Sequence, residues 1–157
     1  INGAAVGWGM ELALMADIRV ASVNARVGEL FVIRGLCRAA PGLGRLAQLV
    51  GREKAAELLF TGELIDAETA LAIGLVGRVV PHANLMDKAH EIAGKIARNP
   101  PLAVQALKAG LRRTVEPDWR ETGRWASEQI GRLRTTEDSK EGVAAFLEKR
   151  DPVYTGR

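Results

Sequence analysis

Two glycines flank a tryptophan near the start of the sequence, at Gly7, Trp8 and Gly9, and a carboxylate follows at Glu11. The pattern changes here from a short apolar strand to a helix, so the first helical N–H groups have no acceptor within the helix. Aligned peptide dipoles place about half a positive charge at that end, and glycines let a ligand approach the backbone closely. These residues favour binding of an anion, with Glu11 placed one turn into the helix as a proton-transfer group.

Each of these residues also has a purely structural interpretation. The indole of Trp8 packs at a strand-to-helix corner, or the backbone of Trp8 presents its N–H to a ligand. A glutamate in a first helical turn, such as Glu11, is favoured by the helix dipole whatever else it does. The four residues by themselves leave both interpretations open.

Hydrophobic periodicity places these residues in an α/β arrangement. Apolar and alternating segments predict strands over residues 1–4, 17–22, 26–32 and 75–80. Helices are predicted over residues 8–16 and 43–50. Helical segments are predicted to end at Gly51, Gly62 and Gly74.

After Pro81 the pattern is helical throughout. Apolar helix faces are predicted to begin at Leu85, Leu102, Trp119 and Val143. The sequence therefore predicts an α/β part over residues 1–81 and a helical region over residues 82–157.

Composition narrows the class of protein. The 157 residues are 47% hydrophobic and 26% charged, as in one globular domain. The net charge of +3 is spread along the chain without a basic stretch that carries aromatic residues, so we predict no nucleic-acid partner. No apolar run approaches the ~20 residues that span a bilayer, so we predict no membrane partner.

Cysteine content and the first residues add two expectations. Cys37 is the only cysteine, which excludes an internal disulfide and points to a reducing, cytoplasmic compartment. The chain opens without Met inside a predicted strand, and we interpret it as a fragment.

Four segments form a pattern more specific than any single glycine motif. They are INGAAVGWGMELALMADIRVAS, GLGRLAQLVGREKAAELLFTGELIDAETALAIGLVGRVVP, NPPLAVQALKAGL and EDSKEGVAAFLEKRDPVY. With these segments the sequence resembles the C-terminal part of the enoyl-CoA hydratase/isomerase family, which belongs to the crotonase superfamily.

The resemblance implies a fold, a substrate and an assembly. The fold is a crotonase-like spiral of ββα turns, of which residues 1–81 are the C-terminal part, followed by a helical trimerisation region over residues 82–157. The substrate is an acyl-CoA thioester, with coenzyme A as part of the substrate and no metal or redox cofactor. The assembly is a homotrimer or a dimer of trimers.

The resemblance also assigns roles to the glycine-flanked segment. Two backbone N–H groups stabilise an enolate-like oxyanion in this family, and one of them matches Trp8, between Gly7 and Gly9. The other donor is expected in a segment that precedes these residues in the family. The first of the family's two catalytic glutamates matches Glu11.

The family pattern breaks at the second glutamate, whose position holds Phe31. The aspartate that some family isomerases use is also absent, because its position holds Ala39. Glu29 lies two residues before Phe31, on the same face of a predicted extended segment. Glu29 therefore either supplies a displaced carboxylate or is a solvated or ion-paired side chain, and Phe31 is expected to line the substrate site.

Two residues near the end of the sequence match positions close to the adenine end of CoA in relatives. They are Phe146 and Lys149. The alternative is an ordinary amphipathic helix with Phe146 turned inward and Lys149 in solvent. His82 and His90 lack a metal-ligand arrangement and are predicted to be surface residues.

The function predicted from these residues is enoyl-CoA hydration or isomerisation through a backbone oxyanion hole and a glutamate acid/base. The missing second glutamate leaves two alternatives open. One is another enolate reaction on CoA esters, such as double-bond isomerisation, decarboxylation or thioester hydrolysis. The other is a noncatalytic acyl-CoA-binding homologue.

Overall fold

Short strands in the first half of the chain form two small sheets. The computed structural model describes residues 1–37, 41–99, 101–115, 124, 127–128 and 130–155. The strands are β1 Ala4–Val6, β2 Val20–Ser22, β3 Arg26–Gly28, β4 Leu64–Asp66 and β5 Arg78–Val80. All strands within the described ranges precede Pro81.

Helices connect most of the strands and form most of the described chain after Pro81. They are α1 Trp8–Met15, α2 Leu46–Val50, α3 Arg52–Thr61, α4 Ala67–Ala72, α5 Leu85–Ala97, α6 Pro101–Val115 and α7 Glu137–Glu148. A 3-10 turn covers Val32–Arg34, and a π-helical turn, Pro41–Arg45, leads into α2.

The sheet that positions the candidate site has the strand order β1-β3-β4. Strands β1 and β3 are parallel, with Val6 opposite Gly28, so both strands end at the same edge of the sheet. Strand β4 is antiparallel to β3 on its other side. Strands β2 and β5 form a separate parallel pair.

Aliphatic side chains form the core between the sheets and helices, as the low aromatic content predicts. The largest fully buried apolar side chains are those of Met10, Leu14, Val27, Leu46, Leu75 and Val76. Helix α1 contributes Met10 and Leu14 from one face, which fixes its direction against β1 and β3.

The helix ends predicted at three glycines are confirmed, and an aspartate caps a further helix. Gly51, Gly62 and Gly74 all have positive φ angles, of 79°, 66° and 77°, in the region where glycine has no Cβ to clash. Asp66 caps α4, because its Oδ1 accepts a hydrogen bond from the Thr69 N–H at 2.9 Å.

Other boundaries were wrong. The first strand lies at Ala4–Val6 rather than residues 1–4, and the strand predicted over residues 26–32 ends at Gly28. Strand β4 was missed, because three residues with only Ile65 buried are too short to show alternation. The helix predicted from Trp119 lies largely outside the described residues.

Gly28 is a position where the sheet requires glycine. A Cβ there would lie 2.6 Å from the backbone oxygen of Glu63, which cannot move without disturbing the pairing of β3 with β4. We expect Gly28→Ala to lower the free energy of unfolding by about 1–3 kcal/mol, measured by urea unfolding.

A matched change in a helix should have the opposite sign. Gly94 lies within α5, and a Cβ there would meet only the end of the Arg98 side chain at 3.9 Å. Gly94→Ala should raise the free energy of unfolding by about 0.5–1 kcal/mol. Equal urea midpoints for the two variants would contradict this account of Gly28.

The residues after α7 fold back onto that helix, and we call Asp151–Thr155 the C-terminal strap. The Arg150 guanidinium donates hydrogen bonds to the Glu141 carboxylate, with Nη2 2.8 Å from Oε2. The Val153 N–H donates to the same carboxylate at 3.0 Å. These bonds hold the pKa of Glu141 at about 2, below its ordinary value of 4.5.

The lowered pKa of Glu141 predicts a pH-dependent contribution to stability. Because the folded pKa lies below the unfolded one, the stabilisation is fully present above pH 4.5 and is lost as the pH falls towards about 2. The melting temperature of wild type should exceed that of Glu141→Gln at neutral pH, and the difference should disappear over this window. A difference that stays constant down to pH 2 would contradict this.

Candidate active site

The turn between β1 and α1 is fixed by Gly7. Its φ of 52° lies in the region that favours glycine. The Gly7 N–H donates a hydrogen bond to the Gly28 carbonyl at 3.0 Å, and the Gly7 carbonyl accepts one from the Glu11 N–H at 3.0 Å. The end of β3 therefore holds the turn, and α1 begins at Trp8.

Trp8 is the first residue of α1, and its backbone rather than its side chain is the part that belongs to the candidate site. The Trp8 side chain is 67% exposed, so the alternative in which the indole packs at the corner is wrong. The Trp8 N–H belongs to the first turn, where helical N–H groups have no intrahelical acceptor. A Cβ added at Gly9 would meet no atom within 4 Å, so the backbone of this turn is open to a ligand.

Two carboxylates are buried near this turn. Glu11, one turn into α1, is 0% exposed, and Glu29, directly after β3, is 1% exposed. Since β1 and β3 are parallel neighbours, the segments that follow them share one edge of the sheet. Glutamates are rarely buried to this extent, because a charged group loses much of its hydration there. Two buried glutamates at one strand edge are therefore a functional signal.

Phe31 also lies at this edge, but not in extended conformation. It has φ −66° and ψ −40°, and its carbonyl accepts hydrogen bonds from the Arg34 and Leu36 N–H groups, both at 3.0 Å. These bonds close a 3-10 turn, so the prediction that Glu29 and Phe31 share a face of a strand was wrong. The Phe31 ring instead packs against the glycine turn, with Cζ 3.6 Å from the position of a Cβ on Gly7.

A cavity of about 480 Å³ lies beside Phe31. Its size falls within the range of small-molecule sites. Most of its walls are apolar, and Glu29 and Asp138 add carboxylates. The lining residues used below are Glu29, Phe31, Leu36, Leu59, Leu133 and Asp138. Phe31 therefore borders both the cavity and the Gly7 turn. Ala39 lies outside the described residues.

The two residues predicted near the CoA adenine lie in α7 and at its C-cap. Phe146, on α7, is exposed rather than turned inward, and the Arg34 guanidinium lies over its ring at 4.5 Å from the centroid. Lys149 is exposed at the C-cap of α7, with a left-handed φ of 56°. Phe146 thus connects to the 3-10 turn after Phe31, and Lys149 lies on the surface.

The structure also bears on the two histidines, on metal binding and on membrane spans. His82 and His90 are exposed as predicted, and His82 Nδ1 lies 3.1 Å from the Ser22 hydroxyl, to which it is hydrogen-bonded. Within the described ranges, no three His, Cys, Asp or Glu side chains cluster as metal ligands. In the same part of the chain, no helix combines the length and apolar character needed to cross a membrane.

Sequence reasoning missed several residues that shape the site. Leu36 and Leu59 line the cavity, and Gly35 ends the 3-10 turn with a left-handed φ of 63°. The glycine was the available signal, because an isolated Gly after an apolar run marks the end of an element. The apolar cavity residues gave none, since they look like ordinary core positions.

Comparisons with known proteins show the family and the fold. A family model described as Enoyl-CoA hydratase/isomerase matches residues 1–157. The chain is 43% identical over 150 residues to a short-chain-enoyl-CoA hydratase of Clostridium acetobutylicum, covering 96% of this chain and 58% of that protein. It is 40% identical over 157 residues to a 2,3-dehydroadipyl-CoA hydratase of Escherichia coli, covering 100% of this chain and 62% of the relative.

Solved structures give the same result. A crystal structure of an enoyl-CoA hydratase/isomerase from Pseudoalteromonas atlantica superposes with a TM-score of 0.93 at 31% identity, covering 99% of this chain and 62% of that one. A carnitinyl-CoA hydratase from Mycobacterium avium superposes with a TM-score of 0.89 at 39% identity, covering 99% and 61%.

The fold is the crotonase-like α/β fold that the sequence predicted. The chain belongs to the enoyl-CoA hydratase/isomerase family. It spans about three fifths of the length of the curated relatives it matches.

Proposed function

We propose that the protein is an acyl-CoA enzyme of the enoyl-CoA hydratase/isomerase type that stabilises a thioester enolate. The main support for this proposal is that three groups lie near one edge of a sheet. The open N-terminus of α1 begins at Trp8, and the buried carboxylates of Glu11 and Glu29 follow neighbouring parallel strands.

The helix start supplies the oxyanion donor. The thioester oxygen accepts a hydrogen bond from the Trp8 N–H, and the charge that develops on this oxygen is stabilised by the α1 dipole. One such donor is worth about 2.7–4 kcal/mol in the transition state. Gly7 and Gly9 leave room for the substrate carbonyl to approach the backbone.

Glu11 is the proposed acid/base. It lies three residues after Trp8, so it projects from the first turns of the same helix whose N-terminus binds the oxygen. A carboxylate held there can take a proton from the carbon next to the thioester carbonyl and return it to the same or another carbon. Burial keeps bulk water from competing for the proton.

Glu29 and Phe31 decide which enolate reaction follows. Hydration requires a second group to hold the water, and Glu29 is the buried carboxylate available at this edge. Phe31, beside the cavity, suits an apolar part of the acyl group. The matched relatives are named as hydratases of several acyl-CoA esters, which favours hydration. The alternatives are isomerisation, decarboxylation or thioester hydrolysis, and a noncatalytic acyl-CoA-binding homologue.

The remaining proposals concern partners and location. Coenzyme A enters as part of the substrate, and the proposed chemistry uses no metal or redox cofactor. Phe146 and Lys149 are proposed to contact the CoA portion. A homotrimer or dimer of trimers, formed through the helical region over residues 82–157, follows from the family resemblance, as does the spiral core over residues 1–81. A cytoplasmic location rests on the single cysteine, Cys37.

Turnover of defined thioesters tests the proposal. The full-length protein is incubated with crotonyl-CoA, a 3-enoyl-CoA and a saturated acyl-CoA, and the products are separated by chromatography. Formation of 3-hydroxybutyryl-CoA from crotonyl-CoA supports hydration, and conversion of the 3-enoyl ester to the 2-enoyl ester supports isomerisation. Binding of the esters without any turnover contradicts the enzymatic proposal and favours the noncatalytic alternative.

A further inference from the structure

Helix α7 packs its backbone directly on the 3-10 turn that follows Phe31. A Cβ on Gly142 of α7 would lie 2.7 Å from the carbonyl carbon of Arg34. A Cβ on Gly35 would lie 2.9 Å from the backbone of Asp138 at the start of α7. Glycines on both sides therefore allow a backbone-to-backbone contact that any larger residue would separate.

The C-terminal strap reinforces this contact. The Glu141 carboxylate accepts hydrogen bonds from the Arg150 guanidinium and the Val153 N–H, as described above. The Thr155 N–H donates a hydrogen bond to Asp138 Oδ1 at 2.7 Å. The strap therefore lies along α7, with its residues fixed at two points on that helix.

One side chain joins the strap to the 3-10 turn itself. The Tyr154 hydroxyl donates a hydrogen bond to the Ile33 carbonyl, across 121 residues of sequence. Tyr154 is 41% exposed, so its ring contributes little to the core. On the same side, Arg34 lies over the Phe146 ring of α7 and donates a hydrogen bond to the Leu30 carbonyl at 3.2 Å.

Hydrogen bonds connect this turn to Phe31. The Phe31 carbonyl accepts hydrogen bonds from the N–H groups of Arg34 and Leu36, so the turn and Phe31 form one hydrogen-bonded unit. The Phe31 ring in turn packs against Gly7, whose turn carries the Trp8 N–H. The cavity beside Phe31 is also lined by Leu133, which precedes α7, and by Asp138, in the first turn of α7.

We propose that Tyr154 is a positioning residue: through the Ile33 carbonyl it holds the 3-10 turn, and through the turn it holds Phe31 against the Gly7 turn and the acyl cavity. This role rests on the proposed acyl-CoA function of the same site. Its effect is expected on the reacting acyl group, because the Phe31 ring packs against Gly7, whose turn leads to the Trp8 N–H. Small displacements near reacting atoms are costly, with about 10²-fold lost for a 1 Å shift.

The test compares Tyr154→Phe with wild type in the full-length protein. The variant removes only the hydroxyl, and Val153→Ala is the matched control, since Val153 lies in the same strap and bonds through its backbone. Hydrogen exchange should become about 2- to 10-fold faster for amides of residues 32–36, the effect of one net hydrogen bond. Exchange in β1 should not change, and Val153→Ala should match wild type.

Steady-state kinetics on the active acyl-CoA ester provide the second readout. Tyr154→Phe should lower kcat by about 3- to 10-fold, as expected for a displacement well below 1 Å. Glu141→Gln, which weakens one of the two attachments of the strap to α7, should act in the same direction. Its effects should not add to those of Tyr154→Phe, because both changes loosen the same attachment.

The outcomes separate this proposal from the proposed function. Unchanged exchange at residues 32–36, uniformly faster exchange over the whole chain, or faster local exchange with unchanged kcat would each overturn the positioning role. A wild-type protein that turns over no acyl-CoA ester contradicts the proposed function instead. In that case faster exchange at residues 32–36 in Tyr154→Phe still supports the proposal that Tyr154 positions the turn and Phe31. Unchanged exchange at these residues still overturns it.

Discussion

Glu11→Gln should lower kcat for the acyl-CoA reaction by about 10²–10⁴-fold, the range that a positioned acid or base contributes. The amide has the shape of the carboxylate but cannot accept a proton at neutral pH. Because Glu11 is fully buried next to the start of α1, the substitution removes the proposed proton acceptor without changing the size of the side chain. Steady-state kinetics with the ester that wild type turns over measure the effect.

The matched control for this variant is Glu68→Gln. Glu68 also lies in a first helical turn, that of α4, but it is exposed. It shares the favourable helix dipole with Glu11 and lacks the burial at the sheet edge. Glu68→Gln should therefore leave kcat at the wild-type value. If Glu11→Gln also retained full turnover, with both variants folded by circular dichroism, the role of Glu11 would be refuted.

Trp8→Pro should lower kcat by about 10²–10³-fold relative to Trp8→Ala, the effect of removing one oxyanion donor. Both variants lose the indole, and only proline also loses the backbone N–H. Proline is tolerated at the first helical position, so α1 should still begin at residue 8. The comparison therefore isolates the N–H from the side chain.

Because the Trp8 side chain is exposed, loss of the indole should have little effect on stability in either variant. The indole contributes little to the core, so Trp8→Ala should keep a melting temperature close to that of wild type. The two variants are compared at equal folded fractions, determined by thermal unfolding. Equal kcat values for the proline and alanine variants would show that the oxygen is stabilised by another group.

The residues around α1 could be predicted from sequence because their signals are local. A glycine before a helix start and a first-turn glutamate are both encoded within a few residues. Gly51, Gly62 and Gly74 likewise marked helix ends that the positive φ angles confirm. Each of these features depends on backbone conformation next to the residue itself.

The arrangement after β3 could not be predicted in the same way. The sequence over residues 26–32 was predicted to form one strand, but pairing with β1 and β4 extends only to Gly28. The 3-10 turn beyond it is stabilised by α7 and Tyr154, which lie more than 100 residues away in the sequence. Local periodicity carries no information about such contacts.

The burial of Glu29 illustrates the same limit. From sequence, a solvated glutamate and a displaced catalytic carboxylate were equally compatible with its position. Glu29 is buried in the structure, because the parallel pairing of β1 and β3 places it, directly after Gly28, next to the Gly7 turn. For Phe31, which the family resemblance marks as a departure at the second glutamate position, the structure adds that its ring packs against Gly7.

Exchange of α-protons tests the central claim, formation of a thioester enolate at this site, most directly. Butyryl-CoA, a saturated ester that can be neither hydrated nor isomerised, is incubated with the full-length protein in D₂O, and deuterium at the α-carbon is followed by NMR. We expect wild type to catalyse the exchange, and both Glu11→Gln and Trp8→Pro to slow it by at least about 10²-fold. Two results would contradict enolate formation by Trp8 and Glu11. One is wild-type exchange no faster than the rate in solution without protein, and the other is exchange in both variants as fast as in wild type.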